Sequence, residues 1–218
     1  MDKTIVMIHG MWGGGWYWEN YKKYFETKGY TCLTPTLPFH NKDPKNTPDL
    51  QLGKMGLFEY ADYLEKLIKK PGDPPVLMGH SMGGLLAQIL GSRGLAKAMI
   101  LLTPAPPYGI NALKSSVLKS FWDVLTSHKI ILRYGFWNKP MRLSFNKAVY
   151  SMLHLVPADQ QKKIYKRFVY ESGRAAFQIG FWLFDGKKAS KVDENKIKCP
   201  VLVISGKEAD LSKIEIRN

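Results

Sequence analysis

The sequence predicts an α/β fold: a mostly parallel sheet flanked by helices, with a helical cap inserted between two of its strands. Three observations predict it. Short, continuous apolar runs recur along the chain; amphipathic helical patterns separate them; and this alternation stops near residue 107 and resumes near 196. Strand and helix in alternation imply parallel strands joined by crossover helices and covered on both faces.

The runs "TIVMIHG" (4–10), "PPVLMGH" (74–80), "AKAMILLTP" (96–104) and "CPVLVISG" (199–206) read as buried strands, because they are short and rich in Val, Ile, Leu and Met. A weaker strand is "TCLTPTLP" (31–38). Between them, "WENYKKYFETKG" (18–29) ends on the glycine expected after a helix. Within 55–70, Leu57, Tyr60, Ala61, Leu64, Leu67 and Ile68 form one apolar face at spacings of three and four. "SMGGLLAQILGSRG" (81–94) starts with small residues and is apolar along one side. Residues 107–195 read as helical throughout, with aromatics and Met in "FWDVL", "RYGFW", "SMLHLV" and "FQIGFWLF". The expected organisation is a core over 1–106, a cap over 107–195 and the core continued over 196–218.

With 218 residues, 45% of them apolar, and a mean hydropathy of −0.22, the chain matches a globular protein with one good core. No apolar run approaches the roughly 18 residues of a membrane span, so no stable membrane insertion is expected. "MDKTIVMIHG" lacks the parts of a secretory signal, and a cytoplasmic location is the expectation. Cys32 and Cys199 are too few for a metal cluster and read as buried free thiols. The net charge of +14 is spread over helix-like stretches among acids, which means solvated faces. Without a nucleic-acid motif or basic–aromatic interleaving, no nucleic-acid partner is expected.

"VLMGHSMGGLLAQ" (76–88) places Ser81 between Gly79 and Gly83, after a strand and before a helix. This is the pattern of a nucleophile elbow. The sharp turn lifts the hydroxyl to the helix N-terminus, where the Met82 N–H has no helical partner and can bind an oxyanion. "IHGMWGGGW" (8–16) follows the first strand; its glycines at 10, 13, 14 and 15 fit neither G-x-G-x-x-G nor a P-loop. A second oxyanion donor, the Met11 N–H, is the better reading. His9 is expected to order this loop by hydrogen bonding rather than to act as a base.

"HGMWGGGWYW", "GHSMGG" and "PVLVISGKEAD", in this order and with a helical insert, resemble the α/β-hydrolase superfamily. The head is similar to its single-domain esterases and lipases. The resemblance covers nearly the whole chain and implies Ser81 as nucleophile, the Met11 and Met82 amides as oxyanion hole, and cap helices shaping an acyl pocket. It also implies an acid after the strand at 199–205 and a histidine after one further strand. No cofactor or metal is called for.

The chain departs from that pattern at its end. Ala209 stands where the family's aspartate is usual; Asp210 is the expected acid, with Glu208, or no acid at all, as the alternatives. No histidine follows Asp210. Of the five present, His80 should alternate away from the nucleophile. His40 reads as a surface or pocket-edge residue, and His128 and His154 belong to the cap, His154 as a packed or interfacial residue. The expectation is a longer enzyme whose last strand and histidine are missing here, against a degenerate hydrolase kept for binding.

The expected activity is carboxylic ester hydrolysis through a serine acyl-enzyme, on a small-molecule ester with an apolar acyl group, impaired without its histidine. Trp12, Trp16, Phe136, Trp137 and Phe181 are candidate pocket walls. A serine speaks against dehalogenase chemistry, which uses a carboxylate; perhydrolase, carbon–carbon hydrolase and acyltransferase activities stay open on the same elbow. The rival is a binding protein that uses the pocket without turnover. A sheet lacking its last strand also predicts self-association through an exposed edge.

Overall fold

A computed structural model of the chain describes residues 3–69, 73–110 and 135–205. Four strands come first: β1 (Thr4–Ile8), β2 (Thr31–Leu33), β3 (Val76–His80) and β4 (Ala98–Leu102). Helices α1 (Glu19–Thr27), α2 (Leu57–Ile68) and α3 (Met82–Ser92) lie between them in sequence. The chain later returns to the sheet as β7 (Val201–Ile204), numbered after two short strands, β5 (Pro140–Met141) and β6 (Glu171–Ser172). The main sheet has the order β2-β1-β3-β4-β7, and every neighbouring pair is parallel. The weak run at 31–38 supplies only a three-residue strand.

Side-chain alternation along β1 divides the core. Val6 and Ile8 join Leu77, Leu101 and the apolar faces of α2 and α3. Ile5 and Met7 join Trp18, Cys32 and Met78 on the other face. Nine of the eleven residues of α3 are buried, because it packs on β1, β3, β4 and α2.

Two expectations are corrected here. The 107–195 stretch is not helical throughout: among the described residues, α4 (Phe145–Ala148), a π-helical turn (Val149–Leu153), α5 (Ala158–Tyr165) and α6 (Gly173–Gly180) are short. They are accompanied by the antiparallel pair β5–β6. Pro157 sets the start of α5, and Ser172 caps α6 by accepting from the Arg174 and Ala175 N–H groups. Second, the 199–206 run is not a buried strand. Val201, Leu202, Val203 and Ile204 are 38–55% exposed, because β7 is the terminal strand of the described sheet with β4 as its neighbour there. Cys32 is buried as expected, while Cys199 is only half-buried.

Candidate active site

Ser81 ends the sheet and begins the helix in one step. It takes φ 53° and ψ −120°, a conformation that L-residues hold only when their surroundings over-determine it. Those surroundings are visible. The Ser81 N–H donates to the Leu102 carbonyl (3.1 Å), and its own carbonyl accepts from Gly84 (2.9 Å), Leu85 (3.2 Å) and Ala105 (2.9 Å). Close packing explains the flanking glycines. A Cβ on Gly79 would strike the Gly83 carbonyl, and one on Gly83 would strike the Ile8 carbonyl.

The loop after β1 lies against this turn: a Cβ on Gly10 would sit 3.1 Å from the Ser81 Cβ and 2.9 Å from His80 Nδ1. Its peptides are fixed one by one. His9 Nδ1 bonds the Gly10 carbonyl (2.8 Å), and His9 Nε2 accepts from the Leu37 N–H (3.1 Å), so the proton of His9 is on Nδ1. In a trans peptide N–H and C=O point oppositely, so the Met11 N–H is directed away from the His9 ring. The next peptide is held at both ends. Tyr17 Oη donates to the Met11 carbonyl (3.3 Å), and the Trp12 N–H donates to Glu171 Oε2 (3.1 Å). Finally the Trp12 carbonyl accepts from the Val169 N–H (3.0 Å). Trp12 itself has φ 59°, a second strained residue held by its partners.

Glu171 is the hub of a fully buried polar cluster. Oε2 also accepts from His40 Nε2 (3.0 Å); Oε1 accepts from the Tyr60 hydroxyl (3.3 Å) and the Ser172 N–H (2.7 Å). His40 Nδ1 donates to the Pro38 carbonyl (3.0 Å), so both of its nitrogens face oxygen acceptors. Burial pulls His40 down, but the Glu171 charge and hydrogen bonds outweigh it and carry the imidazole above its ordinary value. Burial likewise pushes Glu171 up. The His40 charge and bond, with the Ser172 and Trp12 N–H groups, hold it below the ordinary carboxylate value. The pair is therefore a buried imidazolium and carboxylate. Next to it His9 is driven to about 3, first by burial and then by the His40 charge, and stays neutral. Burial and then Glu171 raise both Tyr17 and Tyr60, which keep their protons as donors.

These facts correct the reading of His40 as a surface or pocket-edge residue: it is 2% exposed and ion-paired. His154, read as packed or interfacial, is exposed. His80 is pushed down by burial. Among the described residues no hydrogen bond joins a histidine to the Ser81 hydroxyl, and no group of His, Cys, Asp and Glu is arranged to hold a metal. Asp210, Glu208 and His128 lie outside the described residues.

Met82 is fully buried at the first turn of α3, and Met11 and Trp12 are buried in the core beneath the loop. Trp16 packs edge-on to Tyr17 at 4.4 Å, near Phe168, and under the Arg167 guanidinium. Trp137 and Phe181 meet through Phe177, at 5.7 Å from each. The side chain of Phe136 lies outside the described residues. Glu171 escaped the sequence reading; its one signal is a lone acid in the apolar stretch "FVYESG", two residues from a Val that also bonds the glycine loop.

The Alpha/beta hydrolase family matches residues 5–212 of the chain, which takes in every strand of the main sheet from the first core residue on. The chain belongs to the alpha/beta hydrolase family. Among solved structures, this hydrolase-family chain is similar to an extracellular alpha/beta-hydrolase from a Paenibacillus species, at TM-score 0.66 and 20% identity, covering 92% of this chain and 77% of that one. That protein is described as sharing structural and functional homology with tobacco salicylic acid binding protein 2. A methylesterase from Arabidopsis gives TM-score 0.64 at 15% identity over 96% of this chain and 80% of that one. Both likenesses establish the fold. A probable lysophospholipase, BODYGUARD 4 of Arabidopsis thaliana, is 28% identical over 134 residues, 57% of this chain. The match spans only 31% of that protein's length. No described helix is long and apolar enough to cross a membrane.

Proposed function

We propose that this hydrolase-family chain carries the nucleophile and oxyanion hole of a carboxylic ester hydrolase. Ser81 Oγ attacks the ester carbonyl, and the amides of Met11 and Met82 bind the tetrahedral oxyanion. The C–O bond to the alcohol then breaks, the alcohol leaves with a proton, and the acyl group remains on Ser81 until water removes it. The observation that carries the reading is the strained Ser81 backbone, locked by the Gly79–Gly83 contact and pressed against Gly10 of the donor loop. An apolar acyl group fits the mostly apolar lining usual for small-molecule pockets.

The proton acceptor for Ser81 is not His9 or His40, since each has both ring nitrogens engaged elsewhere. The same observation favours a second reading, a protein that binds an apolar ligand in the hydrolase pocket without turnover. A fluorophosphonate probe separates the two. Stoichiometric labelling that disappears in Ser81→Ala supports the hydrolase; no labelling together with tight binding of an apolar ester analogue supports the binding protein.

A further inference from the structure

Glu171 sits in the cap, yet its carboxylate holds a backbone N–H of the loop that follows β1. We propose that Glu171, charge-balanced by His40, is a positioning residue that sets the oxyanion donor at Met11 by tying the glycine loop to the cap. This rests on the ester hydrolase reading and deepens it.

The geometry gives Glu171 this role more directly than a general role in packing. Four donors converge on its two oxygens from four parts of the chain: Trp12 in the loop, His40 after β2, Tyr60 on α2, and Ser172 in β6. An ionised carboxylate accepts at about four lone-pair sites, so it alone satisfies all four donors. The neighbouring cap residue Val169 bonds the Trp12 carbonyl, so both backbone polar groups of Trp12 are held by residues 169–171. The Trp12 N–H fixes the plane of the 11–12 peptide, and His9 fixes that of the 10–11 peptide. Met11 is the residue shared by these two planes. The Met11 N–H lies in the 10–11 plane that His9 holds, and that plane is hinged at the Met11 Cα to the 11–12 plane that Glu171 holds against the strain of Trp12 at φ 59°. A shift of the cap moves Glu171 and Val169 together, and with them the donor.

The ligand-independent consequence is that the loop loses its fixed orientation when the carboxylate is lost. In Glu171→Gln the amide carries one acceptor oxygen, and its NH₂ must face either the Trp12 and His40 donors or the Ser172 N–H. Phosphonylation of Ser81 by a fluorophosphonate is timed in wild type and Glu171→Gln, with melting temperature and amide exchange at Met11 and Trp12 measured alongside. The expected result is faster exchange at both amides and labelling slowed roughly 100-fold, the effect of a misplacement near 1 Å. The probe concentration for half-saturation stays close to that of wild type. A core control at the far end of α3, Leu90→Ala, gives the contrast that loss of stability alone would not: it melts earlier but is labelled at the wild-type rate.

Wild-type labelling of folded Glu171→Gln overturns the proposal. If that variant does not fold, the double variant His40→Gln/Glu171→Gln removes both charges together and carries the same prediction and the same overturning result. If wild-type protein is not labelled at all, the hydrolase reading fails by itself and amide exchange decides. Unchanged protection of Met11 and Trp12 in the variant then overturns the tie, and faster exchange supports it.

Discussion

Strands β3 and β7 both open on Val-Leu and run on in apolar residues, "VLMGH" and "VLVI", yet have opposite surroundings. The middle of β3 is buried between β1 and β4 under α3, while all four residues of β7 are exposed beside β4. The end of β3 leads into a turn in which each peptide is fixed by a partner from another element. Apolar composition records what a strand is able to bury. Position in the sheet decides what it does bury, and the packing at the end of β3 is tight enough to hold the strained Ser81.

The contrast can be broken most severely at the elbow. Gly83→Val places carbons where the Ile8 and His9 carbonyls stand. Backbone has little room to yield, so a loss of at least about 3 kcal/mol is expected, read as failure to fold or a collapsed melting temperature. Truncation compares the two regions directly. Leu85→Ala, in the fully buried face of α3, should cost about 2–5 kcal/mol in denaturant unfolding. Leu202→Ala, 55% exposed on β7, should cost within about 1 kcal/mol. Equal costs would mean that β7 is covered in solution.

Removing His40 isolates the charge buried beneath the loop. His40→Gln leaves Glu171 without its counter-charge and should cost about 3–5 kcal/mol, more than the double variant that removes both charges. The cluster also has a pH signature. Glu171, below its ordinary 4.5, adds stability above that pH and loses it as pH falls through its folded value. His9, driven from 6.5 to about 3, adds stability that is complete above 6.5 and is lost as pH falls toward 3. His40, raised above 6.5, adds stability that is complete below 6.5 and is lost as pH rises through its folded value. Melting temperature in wild type should therefore fall from pH 6.5 to 3. In His9→Asn that fall should be shallower, even though the variant starts less stable. An unchanged slope would place the titration elsewhere.

The smallest effect belongs to the edge. The exposed apolar strand β7 should make the chain associate with itself as concentration rises, and Val203→Lys should reduce that association in light scattering.

Much of this was legible in residue order because local patterns reported it. The elbow is a sequence motif with steric causes: Gly79 and Gly83 are small because backbone passes where side chains would be. The parallel sheet followed from apolar runs separated by helical periods. The Glu171 cluster was not legible, since it joins Trp12, His40, Tyr60 and Ser172, residues up to 159 positions apart in their hydrogen bonds. His40 in "LPFHNKDP" looked like an exposed loop residue because its neighbours are polar, while its partner lies across the fold. Exposure of β7 was equally hidden, because a strand's sequence does not state its place in the sheet order.

Presentation of Ser81 as a nucleophile is the property on which the proposed chemistry depends. Incubation with an apolar p-nitrophenyl ester, an acid quench and peptide mapping by mass spectrometry test it directly. A nucleophilic Ser81 leaves the acyl group on the peptide that contains it, and the adduct is lost in Ser81→Ala. An acyl group carried by another residue, or bound ester with no adduct on any peptide, would contradict it.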